Sequence, residues 1–260
     1  MIKFCNLFSG SSGNSTFVAS STTKLLVDAG MSCQKIIKAL EKIDVSLAEV
    51  DAILISHEHS DHIKGIETIT KKFGIPVYAT VKTWDAMKQL KVDDSFKQFF
   101  VPDVPFTIGD IVIEPFSIPH DAADPCAFNL FHEQKKITIA TDIGHLDDEL
   151  IHKMYASNLL LIESNYDTDT LFCGPYPYLL KKRINGDFGH LSNEVTSKAI
   201  KTLYENGTSH FILGHLSKEN NFPELAYQTV MNELKTSSCE LPFTLSVAKR
   251  DDVDEVIELI

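Results

Sequence analysis

Apolar residues fall along the chain in two periods. The first quarter reads as short β-rich runs, Ile2–Phe8, Ser15–Ala19 and Lys24–Asp28, separated by Gly- and Ser-rich turns, which predicts antiparallel strands. Helical and strand patterns then alternate. Ser32 stands where a cap precedes a helix with the apolar face Ile36, Ile37, Leu40 and Ile43. Ala52–Ile55 reads as a strand, and Ile63, Ile66, Ile69 and Phe73 as one helix stopped by Gly74. Pro76–Ala79 and Lys97–Val101 read as strands around a helix carrying Trp84, Met87 and Leu90. Ile111–Ile118, Ala127–Phe131, Lys136–Ala140, Leu159–Ile162, Phe211–Leu213 and Phe243–Ala248 follow as strands. Interleaved helices are expected on Leu146, Leu150 and Met154, on Val195, Ala199 and Leu203, and from Pro223 through Ala226, Val230 and Leu234. With no Pro/Ser-rich linker and no fixed-period repeat, the simplest expectation is one layered α/β or α+β domain over residues 1–260.

This pattern has a chemical regularity. Five apolar strands run into a residue able to bind a metal: Asp28, His57, His120, Asp142 and His215, with Glu163 a sixth candidate after Leu159–Ile162. Loops at the carboxyl edge of a sheet are where α/β proteins place their sites. The densest of these places is His57-Glu58-His59-Ser60-Asp61-His62. The pattern H-x-H-x-D-H arises by chance in roughly one such chain in a thousand. His57 and His59 alternate across an extended segment and so point to one side, while Asp61 and His62 lie past the bend and can face a neighbouring point. One loop can thus serve two metals, and imidazoles with carboxylates suit zinc, manganese or iron better than soft metals.

Composition narrows the class. Hydrophobic residues are 43% and charged residues 23% of the chain, as in a globular protein with a sizeable core. The net charge of −12 argues against coating nucleic acid non-specifically, though not against a nuclease whose bound cations reverse the local sign. The five cysteines, Cys5, Cys33, Cys126, Cys173 and Cys239, are odd in number with no C-x-x-C, so disulfides and a thiolate zinc site are not expected and a reducing compartment fits. The first apolar run breaks at Ser9-Gly10, too short for a signal peptide, and no stretch approaches a membrane span. A cytoplasmic protein is expected.

The six-residue motif together with Asp28, His120, Asp142 and His215 resembles the metallo-β-lactamase superfamily over essentially the whole chain. Within it, the sequence is similar to the small bacterial WalJ (YycJ) family of DNA exonucleases, related to RNase Z and RNase J. The residues carrying that likeness are Ser9–Ser15, His57–His62, Glu163-Ser164-Asn165, Gly174-Pro175-Tyr176-Pro177, Gly189-His190-Leu191-Ser192 and Gly214-His215-Leu216-Ser217. The resemblance implies a four-layer αββα sandwich with two divalent metals at one edge. It implies His57, His59 and His120 around the first metal, Asp61, His62 and His215 around the second, Asp142 bridging them, and Asp28 orienting the loop or a ligand. Relatives often carry His where this chain has Tyr166, and tyrosine does not replace an imidazole ligand at neutral pH.

Four further features each keep two readings. Glu163 is an outer support of the site or a carboxylate capping a loop. His190 is a proton donor, as in RNase Z-like enzymes, or a helix-entry histidine bonded to backbone. The loop Ser9–Ser15, with Ser12, Gly13 and Asn14 at its centre, cradles a phosphate on its amides or is a plain hairpin turn. The basic run Lys181-Lys182-Arg183 meets a nucleic-acid backbone or is a solvated helix face.

Two divalent ions would lower the pKa of an attacking water and stabilise both attacking and leaving oxygens, which suits a phosphodiester. The expected function is hydrolysis of DNA, 5′-to-3′ by family resemblance. There is no room between Asp142 and His215 for the inserted domain of RNase J, nor an obvious long Gly/Pro-rich arm of the RNase Z kind. The alternatives are a metal-dependent hydrolase of a small ester, thioester or cyclic phosphodiester, since the metal set alone does not select phosphorus, and a scaffold protein without turnover.

Overall fold

A computed structural model describes residues 1–236 and 242–260; Cys239 lies outside the described residues. Its strands fall into two sheets, and helices accompany both. The chain packs as two compact units, residues 1–117, 122–135 and 249–260 in the first and 118–121 and 136–248 in the second. They are interleaved in sequence, so no single linker separates them.

Unit 1 holds β1 (Ile2–Phe8), β2 (Ser15–Ala19), β3 (Lys24–Val27), α1 (Cys33–Glu41), β4 (Ala52–Leu54), α2 (Ser60–Ile63), α3 (Ile66–Phe73), β5 (Val77–Ala79), α4 (Val81–Ala86), β6 (Lys97–Phe99), β7 (Phe106–Ile108), β8 (Ile111–Ser117) and β9 (Cys126–His132). The chain's last strand, Ile257–Leu259, also belongs here and pairs with β1. Antiparallel pairing runs through β1, β2 and β3, and parallel pairing through β3, β4, β5 and β6. Strands β7, β8 and β9 form an antiparallel ladder. Ser32 caps α1 as expected, accepting from the Lys35 amide, and Ile36 and Leu40 are buried in the same apolar cluster as Leu26 and Ile53.

The helix expected across Ile63–Phe73 is two helices. It breaks at Lys64-Gly65, where a Cβ on Gly65 would stand 2.6 Å from the Met31 carbonyl oxygen. The helix over Trp84 stops at Ala86, before Leu90.

Unit 2 holds β10 (Lys135–Ala140), α5 (Asp148–Lys153), β11 (Leu159–Glu163), α6 (Thr168–Cys173), α7 (Tyr178–Ile184), α8 (Asn193–Glu205), β12 (His210–Gly214), α9 (Pro223–Thr236) and β13 (Thr244–Val247). Strands β10 to β13 pair in parallel in that order. Ile137, Ile139, Leu159–Ile162 and Phe211–Leu213 are buried, the continuous apolar runs of a sheet covered on both faces. The register sets Ala140 beside Ile162 and Ile162 beside Leu213, so the residues that follow all emerge at one edge. Of the expected face of α8, Ala199 and Leu203 are buried, with Thr196 and Ile200 beside them, whereas Val195 is 44% exposed.

The described cysteines are free, with only Cys173 exposed. Among the described residues, no helix is long and apolar enough to cross a membrane.

Candidate metal centre

The donors of unit 1 are built onto the end of β4. Asp28, one residue past β3, takes a left-handed backbone at φ 62°. Its Oδ1 accepts the Ser56 amide at 2.9 Å and its Oδ2 accepts the Ser56 hydroxyl at 2.8 Å. The same Oδ2 lies 2.8 Å from His62 Nδ1. A carboxylate there holds the proton on Nδ1 and leaves Nε2 as the lone pair for a metal, the usual second partner of a ligand histidine. Asp28 thus fixes both the strand that delivers His57 and the ring of His62. His57 Nε2 and His59 Nδ1 lie 3.0 Å apart, so two donor atoms converge on one point, as the extended spacing predicts. Asp61 Oδ2 is 3.6 Å from His62 Nε2.

Asn14 is tied to this loop. Its side-chain nitrogen is 3.0 Å from His62 Nε2 and 3.4 Å from Asp61 Oδ2, and its own amide donates to the Asp61 carbonyl at 2.7 Å. Asn14 Oδ1 accepts from the Gly10 amide at 2.8 Å, and the Gly13 amide donates to the Gly10 carbonyl at 2.9 Å. The amides of Gly10, Gly13 and Asn14 are therefore spent inside the protein. The phosphate-cradle reading of this loop loses those donors, and Asn14 instead braces the His57–His62 loop. Gly13 packs on Met31, and the exposed Ser12 donates to Asp251 at 3.3 Å. Gly30 is the tightest point: a Cβ there would stand 1.6 Å from the Asp61 carbonyl oxygen.

In unit 2 the organising group is Glu163, fully buried at the end of β11. Its Oε1 lies 2.8 Å from His190 Nδ1 and 2.8 Å from His215 Nδ1. Its Oε2 accepts the amides of Ile143 at 2.8 Å and Leu191 at 3.0 Å. Burial opposes its charge, but the charges and hydrogen bonds of His190 and His215 outweigh that and hold the carboxyl well below the usual carboxylate range. Asp142 stands beside this pair, its Oδ1 3.3 Å from His215 Nδ1 and 3.9 Å from His120 Nε2. His120 is oriented by the Gly189 carbonyl, 3.1 Å from its Nδ1. Asp142 (φ 61°) and His215 (φ 53°) share the left-handed backbone of Asp28. Such residues cost of order 1–3 kcal/mol each and collect where function requires them.

Tyr166 takes no part as a donor. It is buried with Leu171 and Ile184, its hydroxyl donates to Asn185 Oδ1 at 2.7 Å, and burial, with Glu163 and Glu194 nearby, pushes its pKa up to about 12. The basic run is also divided. Lys181 Nζ donates to the Phe172 and Gly174 carbonyls, each at 2.7 Å, and Arg183 Nε donates to Asp121 Oδ2 at 2.6 Å. Lys182 lies over the Tyr178 ring.

As a donor set, Asp142, Glu163, His190 and His215 offer atoms all within 4.8 Å of one another, mixed oxygen and imidazole nitrogen. This chemistry, and separately that of the paired histidines of unit 1, fits a divalent ion such as zinc or manganese. Glu163, expected at its strand end as an outer support or a loop cap, meets two histidine rings and two amides. Asn14, expected in a phosphate cradle, reaches His62 and Asp61 instead.

Comparison with known proteins gives a consistent picture. The model of the β-lactamase superfamily domain matches residues 23–216. The chain is 44% identical to the exodeoxyribonuclease WalJ of Streptococcus pneumoniae, over 89% of this chain and 88% of that one. It is 39% identical to the exodeoxyribonuclease YycJ of Bacillus anthracis, over 90% and 89%. Among solved structures, the metallo-β-lactamase fold protein YhfI of Bacillus subtilis superposes with a TM-score of 0.73 at 19% identity, covering 97% of this chain and 98% of that chain. The short form of human tRNase Z superposes with a TM-score of 0.67 at 15% identity, covering 97% and 98%. These last two share the fold. The two-sheet, helix-flanked composition described above is that of the metallo-β-lactamase sandwich.

Proposed function

Starting from a chain that belongs to the metallo-β-lactamase superfamily, and within it to the WalJ/YycJ exodeoxyribonucleases, we propose that it hydrolyses DNA as a two-metal exonuclease running 5′-to-3′ in the cytoplasm. What carries the reading is the likeness to WalJ along nine-tenths of the chain, together with an intact set of histidine and carboxylate donors.

On this reading residues 1–260 are one catalytic domain. By the family resemblance, His57, His59 and His120 would hold one metal, Asp61, His62 and His215 would hold the other, and Asp142 would be shared between them. Bound there, the metals supply Lewis-acid stabilisation of the attacking and leaving oxygens and an acidified water. The residues do the rest. Asp28 keeps His62 in one tautomer, and Glu163 does the same for His215. Removing Asp61 disarms the nucleophile. His190, its Nδ1 proton directed at Glu163, presents Nε2 to the leaving sugar oxygen and protonates it. A sugar alkoxide is a poor leaving group, so that transfer contributes on the order of 10²–10⁴ in rate.

The test is a panel of end-labelled DNA, RNA, a cyclic dinucleotide and a thioester, each with manganese and with zinc. The expected result is stepwise release of nucleotides from the 5′ end of DNA, with a blocked 5′ end resistant. Turnover of the thioester or cyclic dinucleotide with DNA untouched would overturn the reading.

A further inference from the structure

Resting on the nuclease reading, the geometry points to Phe188 as a base-stacking residue that takes an unpaired nucleobase beside the reaction centre and so selects single-stranded ends. Phe188 is 60% exposed, a large ring standing in water. Its backbone is fixed all the same. Its carbonyl accepts the Asp121 amide at 3.1 Å, and the Asp187 carbonyl lies 2.9 Å from His145 Nδ1. The Gly189 amide donates to the Gly186 carbonyl at 2.8 Å and the His190 amide to the Ile184 carbonyl at 2.9 Å. A Cβ on Gly189 would stand 2.2 Å from the Ile184 carbonyl oxygen, and one on Gly144 would stand 2.6 Å from Phe188 Cα. The loop is pressed between the end of α7 and the turn after β10, so the exposed ring belongs to a rigid mount.

That mount is part of the site. Gly189, the next residue, orients His120 through its carbonyl, and His190 follows. Phe188 is two residues from His190, within about 7 Å along the chain. Its amide partner Asp121 adjoins His120 and holds Arg183, which is half-exposed. A nucleotide with its phosphate at His120 and His190 would need its base to span only a distance like that chain separation to meet the phenyl face, with the Arg183 guanidinium held at Asp121. Stacking suits an exonuclease that must pass through any sequence, because every base has a π face. Inside a duplex those faces are covered by neighbouring bases, so the ring favours unpaired ones. Tyr178 and Leu179, 66% and 79% exposed, begin α7, the helix whose end fixes the Phe188 loop.

The experiment is a cycle between the ring and the base. Phe188→Ala, Phe188→Leu and Phe188→Trp are assayed on a single-stranded oligonucleotide and on the same strand with an abasic site stepped through its first four nucleotides. Phe188→Ala and Phe188→Leu should lower kcat/KM on the intact strand roughly tenfold or more, mainly through KM, and Phe188→Trp should retain it. At one abasic position the wild type should already be that weak, and the two losses should not add. Additive losses at every position would overturn the stacking role. So would a Phe188→Ala defect that tracks a change in oligomeric state by sedimentation, since the ring would then be covered by a second copy. A wild type that cleaves DNA but shows no coupling removes this role alone. A wild type that cleaves no DNA removes the nuclease reading and this role together.

Discussion

The two units present their candidate donors in opposite ways. In unit 1 the donors are nearly contiguous, His57 to His62, and the loop is held by backbone: the Asp61 carbonyl accepts from Asn14, the His62 carbonyl accepts from Ala29, and Gly30 packs against Asp61 with no room for a side chain. In unit 2 the donors come from distant places in the chain and are gathered by a single buried carboxylate, Glu163, which reaches two histidine rings and two amides. A loop held by backbone is sensitive to volume, whereas a cluster held by one side chain is sensitive to charge and hydrogen-bonding capacity. The two halves should therefore fail differently.

The largest effect is expected from Gly30→Ala. A methyl placed against the Asp61 carbonyl forces the loop to move, so stability should fall by about 3 kcal/mol or the chain should not fold. Denaturant unfolding reads this, and wild-type stability in the variant would mean the loop is not held by that contact.

Next is Asp61→Ala, which should remove hydrolysis while leaving the unfolding midpoint nearly in place, because Asp61 is partly exposed and its backbone bonds remain. Normal turnover in a folded Asp61→Ala variant would contradict a two-metal mechanism. Glu163→Gln keeps the shape of its side chain but lacks the charge that His190 and His215 face. It should weaken metal binding by about 10- to 100-fold in a chain that still folds. Metal affinity unchanged on titration would remove Glu163 from its organising place.

The smallest effect separates backbone strain from chemistry. Asp142 sits at φ 61°, where glycine is at ease and alanine is not. Asp142→Gly should therefore be more stable than Asp142→Ala by about 1 kcal/mol, though both lose the carboxylate. Equal melting temperatures would mean the backbone at 142 relaxes freely once the side chain is gone.

This contrast also explains what could be read in the sequence. The loop 57–62 was legible because its donors are local and their spacing is set by an extended segment. Asp28, Asp142 and His215 were legible as strand ends, since a buried parallel sheet writes itself as apolar runs with abrupt stops. Asn14 was not, because its role depends on a tertiary contact with residues nearly fifty positions away. Helix α6 was not read in the sequence, and α7 only as the helix-face alternative for Lys181-Lys182-Arg183: Gly174-Pro175-Tyr176-Pro177 lies between them, and their exposed Phe172, Tyr178 and Leu179 break the amphipathic pattern. On α8 the expected Ala199 and Leu203 are buried but Val195 is not: the first turn buries Thr196 instead, its hydroxyl donating to the Glu163 carbonyl at 2.7 Å. A periodicity of apolar residues does not register a threonine buried to serve a neighbouring strand.

The proposed hydrolysis turns on the donors of both units holding metal. The direct measurement is the metal content of the protein by elemental analysis, as purified and after dialysis against manganese or zinc. About two divalent ions per chain are expected, with fewer in His57→Ala and in Asp142→Ala. A chain that arrives without transition metal and takes up none on addition would contradict the account.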